Sequence, residues 1–162
     1  MKANWRVFTL VITIVVALTL FNLAIKDKEN TLENGDLVLL EMVPVDQRSK
    51  MQGDFMELNY KATEGVYADS IPHRGYCVVK PVGQNVYEKV RFQEHAEPIG
   101  KGEKAIRYTT ERFQIHIGST TFFFQEDKAA LFDSAQYAGL RVDNKGRSIL
   151  VGLYDQHKNL IK

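Results

Sequence analysis

Residues 43–60 read VPVDQRSKMQGDFMELNY, a charged turn that runs directly into an alternating strand. From Asp54 to Lys61 the order places Met56, Leu58 and Tyr60 on one face and Glu57, Asn59 and Lys61 on the other, the two-residue period of a half-buried strand. Upstream, Pro44 removes one amide donor and fixes its own φ. Asp46 can cap a turn through its carboxylate, and Gly53 can take a left-handed φ that other residues resist. A loop of defined shape between two strands is expected. Asp46, Arg48 and Asp54 are close enough in sequence for a carboxylate–guanidinium contact to lock it, the alternative being contact with a ligand or partner.

GDFMELNY resembles the signature of the bacterial family named GDYXXLXY, with Phe55 in the place of the first tyrosine and with Leu58 and Tyr60 matching. The preceding PVDQRSKMQ is similar to the PVDPRSLMQ that leads into that signature, Gln47 standing where the family prefers proline. A second block, FFFQEDKAALFDSAQYAGLRVDNKGRSILVGL from Phe122 to Leu153, resembles the family's C-terminal region. The resemblance implies a membrane-anchored protein of unassigned biochemical role, of a kind found beside multi-pass membrane proteins.

The N-terminal segment agrees with this. Residues 7–25, VFTLVITIVVALTLFNLAI, carry no charge, and at about 1.5 Å per residue a helix of that length spans roughly 27 Å, close to the hydrocarbon thickness of a bilayer. Thr9, Thr13, Thr19 and Asn22 are tolerable there, because such side chains can bond to the preceding helical turn. The apolar run exceeds that of a signal peptide and no small-x-small cleavage site follows, so an uncleaved anchor is expected. Lys2 and Arg6 on one side balance Lys26 and Lys28 on the other. The very short leading tail and the family resemblance favour residues 1–6 in the cytoplasm and the rest of the chain outside it. Residues 26–34, KDKENTLEN, read as a polar linker or a helical continuation of the anchor, and the domain is expected over 35–162.

Within that domain, DLVLLEMV (residues 36–43) predicts a buried strand. Residues 75–80 and 86–92 predict a hairpin around a five-residue loop, and residues 104–117 two strands joined by a turn or bulge near Thr109-Thr110-Glu111. Residues 120–125, with Phe122-Phe123-Phe124, are expected to form the core strand of the domain, covered on both sides. Residues 127–138 predict the one helix of the domain, N-capped by Asp127 and ended by Gly139. Residues 140–142 and 148–154 predict a closing hairpin around Asp143-Asn144-Lys145-Gly146. The expected fold class is α+β, predominantly antiparallel β, as a sandwich or small open barrel with one short helix, behind a single transmembrane helix.

Few chemical signals rise above this frame. Lys plus Arg number 21 against 20 Asp plus Glu in 162 residues, so no nucleic-acid surface is indicated. The single cysteine, Cys77, excludes an intramolecular disulfide and reads as an apolar filler in a strand. His73, His95, His116 and His157 are widely spaced and form no metal-binding pattern, and no cofactor motif is present. Ser49 and Lys50 lack the spacing and context of a serine–lysine hydrolase. Glu126-Asp127 and the Asp46–Asp54 pair are explained by capping and loop locking. Arg141 sits between Leu140 and Val142 and calls for a carboxylate, with Asp46, Asp54 or Glu126 as candidates, unless it faces outward.

The interaction or loop-locking candidates are therefore Asp46, Arg48, Gly53, Asp54, Tyr60, Glu126 and Arg141, with no catalytic residue among them. The expected function is a non-catalytic accessory subunit of a multi-pass integral membrane protein, anchored in the bacterial inner membrane. The alternative is an envelope peptide or glycan sensor using Tyr60, Tyr67 or Tyr76.

Overall fold

The computed structural model describes residues 2–43, 55–124 and 129–162. The chain begins with one continuous helix, α1 (Lys2–Asn34), so the polar residues 26–34 are the last turns of the anchor helix itself. Its large apolar side chains from Trp5 to Ile25 are between 42% and 71% exposed, and no part of the barrel covers them. The polar side chains in that stretch are satisfied locally, as expected. The Thr9 hydroxyl donates to the Arg6 carbonyl at 2.9 Å, Thr13 to Thr9 at 2.9 Å, Thr19 to Val15 at 2.8 Å, and the Asn22 amide to Leu18 at 2.8 Å.

Seven strands then form a curled sheet, a half-barrel. They are β1 (Asp36–Glu41), β3 (Arg74–Gly83), β4 (Val86–Gln93), β5 (Lys104–Glu111), β6 (Gln114–Ile117), β8 (Tyr137–Val142) and β9 (Ser148–Tyr154), in spatial order β6-β5-β3-β4-β1-β8-β9. Only β1 and β4 run parallel. Val38, Leu39 and Leu40 are all buried, as the unbroken apolar run of β1 required. The core inside the curl joins Val38 and Leu40 to Cys77, Val79, Ile106, Tyr108, Ile117, Ala138, Leu140, Val142 and Leu153. Cys77 is fully buried in it, and that burial pushes its thiol up to about 12, as suits a packing residue. A second, two-stranded sheet of β2 (Phe55–Glu57) and β7 (Thr121–Phe123) stands apart from the seven.

Four expectations are corrected. The hairpin joining β3 and β4 turns on two residues, Gln84 (φ 47°) and Asn85 (φ 60°), and not on five. Pro81 stays inside β3 because β5 pairs with β3 only as far as Val79, so the missing amide proton faces no neighbouring strand. The β5–β6 turn falls at Arg112-Phe113 instead of residues 109–111. The helix expected over residues 127–138 is described only as α2 (Ala129–Phe132), one turn. Tyr137 and Ala138 belong to β8, where they pair with β1 on one side and β9 on the other. Gly139 is a strand residue with no room for a side chain, since a Cβ there would strike the Tyr154 ring. The Phe-rich strand β7 does not lie in the central sheet: Phe122 packs on the core, whereas Phe123 is 77% exposed.

The tail folds back on the last strand. Asp155 accepts hydrogen bonds from the backbone N–H groups of Asn159 (2.9 Å) and His157 (2.7 Å), which hold its carboxyl below the usual range. The Ile161 N–H then reaches the Leu153 carbonyl at 2.9 Å, and Leu160 bridges to Tyr154.

Candidate interaction sites on the half-barrel

The two blocks that carry the family signature are far apart in sequence, yet they meet in the β2–β7 ribbon. Phe55 faces Phe123, Met56 faces Phe122 and Glu57 faces Thr121 in antiparallel register. Alternation sorts the six side chains by face. Met56 and Phe122 turn inward and pack against the core, and Phe122 continues into an aromatic cluster with Phe124 and Phe132. The Phe122 and Phe132 ring centroids lie 5.0 Å apart edge to face, and those of Phe124 and Phe132 are 5.3 Å apart. Phe55 and Phe123 share the outer face with centroids 6.1 Å apart, Phe55 half-buried and Phe123 77% exposed. Leu58, which donates its N–H to the Thr120 carbonyl at 2.8 Å, is buried and ties the ribbon to the barrel.

Tyr60 completes this attachment. Its backbone bridges Met42 just past the end of β1, its ring is 2% exposed, and its hydroxyl donates to the Ser119 carbonyl at 2.7 Å. Burial raises its phenol well above the ordinary value, so the hydroxyl stays protonated and donating. Tyr60 is thus a strut inside the domain and not a contact surface. Arg141 lies elsewhere: it is half-buried on β8 opposite Leu37, near the start of β1, and its Nη1 donates to the Gly35 carbonyl at 2.8 Å. Roughly 17 Å of strand separates the two positions, so they serve different sites. Asp46, Arg48, Gly53, Asp54 and Glu126 lie outside the described residues, as do Ser49 and Lys50.

The second site joins α1 to the β8–β9 turn. Arg147 donates through Nη1 to Asp27 at 2.6 Å and through Nε to Asp143 at 2.6 Å, so one guanidinium bridges the helix and the turn. Thr31, 2% exposed, donates to the Asp27 carbonyl at 3.1 Å and lies 3.2 Å from Asp143 Oδ2. Desolvation opposes ionisation of Asp143, but the Arg147 side chain and the backbone N–H groups of Arg147 and Lys145 outweigh it and hold the carboxyl below its ordinary value. Gly35 is required at the helix exit, because a Cβ there would strike the Thr31 carbonyl. On the far side of the turn, the Arg107 backbone N–H donates to Gly146 at 2.8 Å and its Nε to the Lys145 carbonyl at 3.0 Å. The helix, the turn and β5 are thereby fastened together, and Lys104 pairs with Asp36 beside them.

Sequence reasoning missed this junction, whose partners are 112 to 120 residues apart and leave no local pattern. It also missed the outward pair Phe55–Phe123, although strict alternation through Phe122-Phe123-Phe124 was a usable signal. Among the described residues no group of three or more His, Cys, Asp or Glu side chains converges as a metal site would require.

Comparison with curated proteins finds no match, and comparison with solved structures finds none either. The family model described as GDYXXLXY protein matches residues 17–153, a span that takes in the second half of α1, the β2–β7 ribbon and the whole seven-stranded sheet up to Leu153. With its signature strand and its C-terminal block paired as one ribbon on the curled sheet, this chain belongs to the GDYXXLXY family.

Proposed function

We propose that this protein is a single-pass accessory subunit of the bacterial cytoplasmic membrane. Its half-barrel lies outside the cytoplasm and docks on a multi-pass integral membrane protein. The observation that carries the reading is α1, a helix long and apolar enough to cross a bilayer, whose apolar window is not buried by the rest of the described residues. An apolar surface of that length needs lipid or another helix to cover it. The exposed Phe123, with the half-buried Phe55 beside it, supplies a second surface suited to protein contact, since aromatic side chains anchor interfaces. The family has no assigned function, so the role rests on these surfaces.

The envelope-sensor alternative draws less support from the three tyrosines that suggested it. Tyr60 is inside the domain, Tyr76 is half-covered with the Arg107 guanidinium 6.0 Å from its ring centroid, and only Tyr67, at 83%, stands fully exposed. Affinity capture of the full-length chain in mild detergent is expected to recover one dominant integral membrane protein. Recovery of none, together with a thermal shift produced by envelope peptides or glycans, would replace the subunit reading with the sensor.

A further inference from the structure

The apolar stretch of α1 ends at Ile25. At about 1.5 Å per residue, Asp27 stands roughly 3 Å and Thr31 roughly 9 Å further along the helix axis, depths that span the polar layer of about 5–8 Å on each side of a bilayer. The β8–β9 turn touches α1 at those two levels, through Arg147 to Asp27 at 2.6 Å and through Asp143 to Thr31 at 3.2 Å. β8 runs toward the helix exit, with Val142 opposite Asp36, and Asn144 and Lys145 form the tip of the turn that follows. Both are exposed. Asp27 and Asp143 are engaged by Arg147, whereas Lys26, Lys28 and Lys145 are exposed and have no carboxylate within ion-pair distance among the described residues.

We propose that the β8–β9 turn is seated in the headgroup layer of the membrane, where Lys145, with Lys26 and Lys28 of α1, contacts anionic phospholipid. The proposal rests on α1 being a membrane anchor. It replaces the image of a domain on a stalk with one held against the bilayer by its own hairpin. The bridge from Arg147 to Asp27 and Asp143 fixes that depth, and the grip of Arg107 on Lys145 and Gly146 keeps the turn from folding away.

The test uses the full chain in phosphatidylcholine vesicles containing phosphatidylglycerol, with a fluorophore on an introduced cysteine at Asn144→Cys, Tyr67→Cys or Leu18→Cys. Cys77 is fully buried and stays unlabelled in the folded protein. A headgroup nitroxide is expected to quench the label at 144 several-fold more than the label at 67. If the two are equal while an acyl-chain nitroxide quenches the label at 18, the seat is overturned and the anchor stands. If the label at 18 is not quenched, both fall. A lysine at an anionic surface favours that lipid by about fivefold, so nitroxide-phosphatidylglycerol should quench position 144 about fivefold better than nitroxide-phosphatidylcholine, and Lys145→Glu should abolish the difference. Equal quenching by the two lipids in the unmutated chain removes the lysine contact.

Discussion

At the junction between α1 and the β8–β9 turn, Asp27, Thr31, Asp143 and Arg147 form a closed polar set in which each charge has an opposite partner. On the β2–β7 ribbon the arrangement is reversed: three residue pairs hold two short strands, Met56 and Phe122 pack inward, and on the outer face Phe123 is left exposed beside a half-buried Phe55. The junction consumes its own hydrogen-bonding capacity and so fixes geometry. The ribbon leaves the Phe123 ring open to solvent. The proposed subunit role would call on both properties, and this chain keeps them in separate places.

The contrast can be broken most forcefully from beneath the ribbon. Phe132 is 5% exposed and touches both Phe122 and Phe124, so Phe132→Ala is expected to cost about 3–5 kcal/mol in thermal or denaturant unfolding. Tyr60→Phe removes the hydroxyl that reaches Ser119 and leaves that carbonyl without its donor. A loss of about 1–2 kcal/mol is expected, with the fold retained.

Asp143→Asn probes the junction at about 1 kcal/mol. Because the folded carboxyl is held below its unfolded value near 3.9, its contribution is complete above about pH 4 and disappears as pH falls through the folded value. Melting temperatures of the native chain and the variant should therefore differ at pH 6 and draw together as the pH falls below about 4. A constant gap would show that the charge does not matter there. The smallest stability effect belongs to Phe123→Ser, within about 0.5 kcal/mol, since that ring is exposed. If the proposed function holds, its consequence is instead a weakened capture of the proposed membrane partner, which sharpens the contrast between the two regions.

How far the sequence disclosed this molecule depended on whether a segment's fate was settled locally. The unbroken apolar run of β1 and the Asp143–Gly146 turn between β8 and β9 were legible, because burial on both faces and turn chemistry are written in adjacent residues. Residues 137–139 were not. Tyr-Ala-Gly reads as the end of an alanine-rich helix, and pairing with both β1 and β9 overrides that preference. The run Phe122-Phe123-Phe124 suggests a core strand covered on both sides, because apolar count alone does not reveal a strand with one open face. At the candidate sites, the inward face of Tyr60 followed from alternation, but its bond to Ser119, 59 residues away, did not. Arg141 in an apolar strand calls for a carboxylate unless it faces outward, and its partner among the described residues is the Gly35 carbonyl.

The folded-back tail carries a practical consequence. By bonding Ile161 to Leu153 and laying Leu160 over Gly152, it occupies the outer rim of β9, the last strand on that side of the sheet. An unpaired rim is a template for the next chain that drifts past. Clipping the protein after Asp155 should therefore leave the barrel folded but self-adhesive, and purification handles belong downstream of Lys162, never in place of the final residues.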